Sequence, residues 1–392
     1  MTGETTWIWP DWFAWMIAPI LVLEAMRSAR IQVRIGKRAL GEARAVSAAE
    51  GLLVFACLSA RTPVVFLVAS VLHFAMTAYR EGGVWRRGLA SVGCVVGGAG
   101  TLAFGAFATS FDGLSANGSV DPVLRSIVLV LLVMACVLSL VPVNVKDETK
   151  GAHVAPVALV AFARMAVPLS VNEPRATLVV PLIAVSVSLI SALWLLTAGM
   201  RANHFERASL VSELLVCERG VLFSFVWLGL ASGGHLAGVG AVLEWWAGAL
   251  ALVALENALR VKVLPKPITF FALAMAIGLP GTVGFVAEDL LAHGLLELRP
   301  LLAAVFVAVT AMNAAALFLA IVNVVAEGGY DPRTAPPPTI GTLLPAILSL
   351  IVGLVPQPFV TGASLARIAV GGEGSTAPRA PFAADAYDIP PP

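Results

Sequence analysis

Apolar runs of about 20 residues recur from one end of the chain to the other, separated by short polar breaks. A helix of that length rises about 30 Å, the thickness of a bilayer's hydrocarbon core. The pattern predicts helices at 7–26, 46–60, 63–80, 88–110, 122–142 and 154–171. Six more follow at 176–199, 209–232, 236–259, 268–292, 299–327 and 339–362, the second and sixth of the series being the shortest and most interrupted. The expected fold class is an all-α polytopic membrane protein of about 12 transmembrane helices, with a discontinuous helix near 268–292.

The polar breaks carry an independent signal. The first holds Arg27, Arg30, Arg34, Lys37, Arg38 and Arg44, which places it on the cytoplasmic side. Every second break after it is again basic: Arg80/Arg86/Arg87, Lys146/Lys150, Arg201/Arg207, Arg260/Lys262/Lys266 and Arg333. The alternate breaks, 111–121, 172–175 and 233–238, are poor in Lys and Arg, and 293–299 adds only Arg299. The alternation predicts a multi-pass protein of the inner (plasma) membrane with both termini outside the cytoplasm. No basic region precedes the first run, so it reads as a retained helix, and Trp7, Trp9, Trp12 and Trp15 suit the headgroup layer.

Composition agrees and narrows the chemistry. Of 392 residues, 59% are apolar and 12% are charged, against about 25% charged in soluble domains. A net charge of +1 without a basic block argues against a nucleic-acid partner. Cys57, Cys94, Cys136 and Cys217 each stand alone in an apolar run, so no disulfide framework, zinc site or ligated cluster is expected. No dinucleotide or phosphate-loop motif appears, and no cofactor is expected. Gly93 and Gly97 within GCVVGGAG read as a close-packing pair rather than a phosphate cradle. Residues 371–392, rich in Gly, Pro and Ala, are expected to be a disordered tail.

Ionisable side chains in the hydrocarbon zone are costly, so each is a functional candidate. The chain offers Glu24, Glu50, His73, Arg164, Glu213, Glu218, Arg219, Glu244, Glu256 and Glu288. The tenth run, ITFFALAMAIGLPGTVGFVAEDLLAHG, is the sharpest segment. Pro280 has no N–H for the carbonyl of Ala276, and Gly278 and Gly281 add backbone freedom, which predicts a break. Glu288 follows about two turns later. A carboxylate just past a broken helix reads as a protonation site; a Pro kink beside an interfacial acid is the other reading. Glu256 is expected to be solvated near a cytoplasmic loop. Arg164 is expected to snorkel to an interface or to hold Glu213 or Glu218.

The run LPGTVGFVAEDLL, with the apolar stretch after it, resembles the antiporter-like membrane subunits of respiratory complex I. These are the M-, N- and L-type chains of NADH–quinone oxidoreductase, akin to Mrp-type antiporters and hydrogenase membrane arms. VPVNVKDETKGAHVAP (141–156) resembles a degraded family signature retaining Pro142, His153 and Pro156. FERASLVSELLVCERGVLFSFVWLGLASGGHLAGVGAVL (205–243) matches a further segment at Arg207, Gly220, Leu228 and Gly240. The resemblance implies N-terminal helices at 1–62, an antiporter-like proton-translocation core at 63–330, a C-terminal helix at 331–370 and the tail. It implies a proton path through Glu288, with Glu244, Glu218 and Arg164 as further members and Gly278, Pro280 and Gly281 as the helix break. It also implies partner membrane-arm subunits that supply the electron chemistry, with protons or cations as cargo.

The departures are as informative. The family's path uses two lysines in middle helices, but those positions fall near Val137 and Leu169. Its early glutamate falls in the third run, where His73 is the ionisable residue. An arginine does not deprotonate, so Arg164 cannot replace a relaying lysine. Three readings therefore stand open: a proton-translocating or coupling subunit, a structural non-pumping subunit, and a free-standing cation/proton or small-solute transporter.

Overall fold

The computed structural model describes residues 11–19, 40–81, 86–105, 111, 114, 120–141, 154–170, 174–200, 207–260, 266–327 and 340–371. Trp7, Trp9, Glu24, most charged loops and the tail from 372 lie outside the described residues. Among the described residues the chain is helical, with no β-strand. The helices are α1 (12–19), α2 (Leu40–Ser59), α3 (Pro63–Glu81), α4 (Arg86–Gly105) and α5 (Pro122–Leu140). Next come α6 (Val154–Ala161), a π turn (Phe162–Ala166), α7 (Val167–Ser170), α8 (Pro174–Met200), α9 (Arg207–Ala231) and α10 (His235–Arg260). The series closes with α11 (Lys266–Ala276), α12 (Val283–Leu298), α13 (Pro300–Glu327), α14 (Ile340–Leu354) and α15 (Gln357–Gly371).

Five of these, α5, α8, α9, α10 and α13, are long and apolar enough to cross a membrane, and α14 with α15 adds a bent sixth. The other apolar helical stretches, such as Ala48–Ser59 within α2 and Ala90–Gly105 within α4, are 10–17 residues long. This is a multi-pass membrane protein. Its long spans differ in environment. α9 and α10 bury 89% of their apolar stretches, whereas α5, α8 and α13 bury 39–50%. Exposed Val123, Ile127, Val130, Leu178, Leu182, Leu301 and Val307 give the latter three a lipid-facing side. The centre of the bundle is thus α9 against α10, flanked by α8 and α12.

Small residues set these approaches. Gly220 of α9 lies against Ser191 of α8 and the carbonyl of Leu140. Gly240 of α10 lies against the backbone of α12, where a methyl group would stand 2.7 Å from the Leu291 nitrogen. The pair in α4 behaves differently from expectation. Gly93 faces open space, and it is Gly97 and Gly98 that meet Leu131 and Leu132 of α5.

The twelfth run also differs. Instead of one helix over 339–362, α14 ends at Leu354 and α15 leaves at 88°. Pro356 lacks the N–H that would continue α14, and it disfavours helical backbone at Val355 before it. α15 then folds back across the bundle: Phe359 meets Trp246 of α10 edge-on, and Trp246 Nε1 donates to the Met16 carbonyl of α1 at 2.8 Å.

Candidate functional site

The break in the tenth run is built by local chemistry. α11 ends in a left-handed cap: Gly278 has φ +62°, and Leu279 N–H reaches back to the Ala274 carbonyl at 2.9 Å. Gly281 follows with φ +92°. Thr282 restarts the chain as the cap of α12, its hydroxyl oxygen accepting from Phe285 N–H and its hydroxyl donating to the Leu279 carbonyl. α14 lies on this turn, with Gly353 directly against Gly281 and Thr282, and Ser349 Oγ accepting from Val283 N–H at 3.3 Å. α14 therefore covers one side of the turn, where Gly278 and Thr282 are buried, while Leu279 and Pro280 stay exposed on the other.

Glu288 points back along α12 toward this turn. A methyl group at Gly278 would stand 2.8 Å from Glu288 Oε2 and 3.0 Å from Oε1. Gly278 is thus required twice, by its backbone angle and by the carboxylate that occupies its side-chain space.

Two more acids converge on Glu288 from the central helices. Glu218 of α9 is fully buried and Glu244 of α10 is 1% exposed. The three carboxyl groups lie within electrostatic reach of one another. Asn313 of α13, also buried, donates from Nδ2 to Glu218 Oε1 across a long 3.4 Å. Glu218 Oε2, both oxygens of Glu244 and Asn313 Oδ1 have no hydrogen-bond partner. Buried oxygens are normally satisfied, so these four acceptors set the two acids apart from the packed core around them. The sequence singled out Glu218, Glu244 and Glu288 separately, and the fold brings them together. Asn313 was missed, because an amide in an apolar run carries no signal until its neighbour is known.

Arg164 is elsewhere and does something different. It lies in the π turn, 3% exposed, and neither snorkels nor meets Glu213 or Glu218. Its Nη2 donates to Asp11 Oδ1 at 2.8 Å and to the Leu58 carbonyl, and its Nη1 donates to Asp11 Oδ2. Phe13 covers the guanidinium, 5.1 Å from ring centre to Cζ. Asp11 also accepts from Ala14 N–H as the cap of α1 and has Arg61 at 3.8 Å. The widened turn stands just before Pro168, which has no N–H for the Arg164 carbonyl, and Val167 N–H bonds Phe162 instead. Pro168 therefore widens the helix without interrupting the span.

The remaining candidates among the described residues are buried as well. Glu50, His73, Glu213, Arg219 and Glu256 are 9% exposed or less. Glu256 thus departs from its expected solvated place. It sits on α10, whose turns are packed on all sides by α9, α11 and α12. Val137 and Leu169, where the family's lysines were sought, pack in the apolar core.

No family model matches the sequence, and no curated relative matches it. Solved structures do. A chain of the Mrp complex from a Dietzia species aligns at 17% identity with a TM-score of 0.68, covering 91% of this chain and 44% of that one. A chain of respiratory complex I from Thermus thermophilus with bound NADH aligns at 17% identity and 0.69, covering 93% and 86%. A chain of the membrane-bound sulfane sulfur reductase, an archaeal respiratory membrane complex, aligns at 16% and 0.62, covering 88% and 65%. This chain therefore spans less than half of the Mrp chain and most of the complex I chain. At these identities the likeness is one of fold.

Proposed function

We propose that this chain is a proton-translocating or coupling membrane subunit of a complex I-like, energy-converting respiratory assembly. One observation carries the reading: Glu218, Glu244 and Glu288 meet beside a broken helix in the middle of the bundle, with no described cation bonded to them. Three acids sharing a buried site cannot all be ionised at low cost, so protons are held among them. A proton passed from a neutral carboxyl to a neighbouring carboxylate leaves the total charge unchanged, which keeps each hop inexpensive. Glu288 interacts with both other acids and stands next to the turn at Gly278–Gly281, where Leu279 and Pro280 are exposed. Glu244 and Glu218 extend the group onto the two central helices, and Asn313 steadies Glu218.

Arg164 takes the part of a fixed positive charge rather than a relay. The solved structures with this fold come from multi-subunit assemblies, which supports partner membrane-arm subunits that carry the redox groups. Residence in the inner membrane with both termini outside the cytoplasm fits the loop charges.

The structural, non-pumping reading is favoured by Val137 and Leu169, which leave the α5–α7 region without the lysines of the resembled family. The deciding measurement is proton uptake into vesicles holding the purified complex, wild type against Glu288→Gln. Loss of most of the uptake with the complex assembled supports a live path. Unchanged uptake in an assembled complex overturns it. Copurification with partner chains separates both readings from a free-standing transporter.

A further inference from the structure

We propose that Arg367 of α15 and the first turn of α10 form a binding site for an anionic phosphate group, that of a phospholipid. Arg367 is 7% exposed. Its Cγ, Cδ and Nε lie directly on Gly238, the fourth residue of α10, in space that any side chain there would need. The guanidinium is thus aimed at the start of a 26-residue helix, where the aligned peptide dipoles already leave positive charge. His235, the first residue of α10, binds Ser364 of α15 through Nε2 at 3.0 Å. Its Nδ1 is buried without a partner, and so are Nε and Nη1 of Arg367.

A permanent cation, empty donors and a helix N-terminus facing one spot repel one another until an anion joins them. No described carboxylate bonds to Arg367. Depth identifies the anion's source. α10 is about 39 Å long, some 9 Å more than the hydrocarbon core, so its first turn falls in the headgroup layer. Beside it, Leu298 of α12 lies against Gly234, and Leu296 and Leu298 remain 57% and 51% exposed, an apolar rim on which acyl chains can lie. Exposed apolar side chains level with the phosphate suit the glycerol and first methylenes of a phospholipid better than a free anion.

The test uses the full chain in mild detergent with added phosphatidylglycerol or phosphatidylcholine, reading retained lipid by native mass spectrometry. Wild type is expected to keep one phosphatidylglycerol, Arg367→Gln to lose it by about tenfold or more, and Arg367→Lys to keep part of the affinity while showing that the fold tolerates change. Thermal shift with inorganic phosphate forms a separate arm. Protection equal to that by phosphatidylglycerol, lost in Arg367→Gln, keeps the anion site and overturns its lipid source. Equal lipid retention by a folded Arg367→Gln chain overturns the site. So does a non-additive loss of stability between Arg367→Gln and Glu373→Gln, which would assign the counter-charge to the chain's own residues beyond 371.

Discussion

Two buried acidic places in this molecule differ in what surrounds them. In the N-terminal region, Asp11 is held by Arg164, by Arg61 and by the Ala14 amide of α1. In the central region, Glu218 and Glu244 share an interior with Glu288, and the amide of Asn313 donates to Glu218 alone. The first arrangement fixes a charge, and the second leaves charge to be supplied and removed by protons. Burial alone therefore does not make an acid a relay. Without a fixed counter-charge, its protonation state stays free to respond to its neighbours.

The largest expected effect breaks the fixed pair. Arg164→Met leaves Asp11 with the more distant Arg61 as its cation and is expected to destabilise the chain by about 3 kcal/mol. Adding Asp11→Asn should restore a large part of that loss, because the stranded charge goes with it. Thermal unfolding of the purified chain in detergent measures both. Additive losses in the double variant would show that the two side chains act separately, and the contrast between the two regions would fail.

An intermediate effect bears on the turn that meets Glu288. Gly278→Ala forces a side chain into φ +62° and against the carboxylate, while Gly281→Ala forces φ +92° with only Leu354 Cδ2 nearby, at 3.9 Å. Both should cost about 1–2 kcal/mol in backbone strain. Only the first displaces Glu288, so proton uptake by the assembled complex should fall in Gly278→Ala and stay near wild type in Gly281→Ala. Equal uptake by the two variants would mean that the close approach of Gly278 to Glu288 has no part in conduction.

The contrast also explains what could be read from the sequence. The break was legible because Gly278, Pro280 and Gly281 act through their own backbone chemistry, within a few residues. The five long spans were legible because hydrocarbon thickness imposes a run length. The three glutamates were legible as outliers in apolar runs, although their meeting depends on how α9, α10 and α12 pack. What stayed hidden was relational. Arg164 was expected to snorkel to an interface or to hold Glu213 or Glu218, but its partner lies 153 residues away at the start of α1. Glu256 looked solvated by its place near a helix end, yet the packing around α10 encloses it. The bend at Pro356 was passed over because the polar break Pro356-Gln357-Pro358 is only three residues long between apolar stretches, and a proline does not announce whether the helix kinks or turns by 88°.

The smallest expected effect concerns Asn313. Its bond to Glu218 is long at 3.4 Å and joins an amide to an acid, so Asn313→Ala should cost about 0.5–1 kcal/mol, a factor of about 2–5 in an equilibrium. If Asn313 only steadies Glu218, proton uptake by the assembled complex should fall by a similar small factor while Glu288→Gln removes most of it. That ordering follows from chemistry: an amide holds a hydrogen bond but does not take up and release a proton near neutral pH, whereas each carboxyl group does. A loss in Asn313→Ala as deep as that in Glu288→Gln would mean that the amide orders the water joining α9 to α13. The row of proton-bearing sites would then extend beyond the three acids, and the central region would owe its difference from the Asp11–Arg164 pair to hydration as much as to the missing cation.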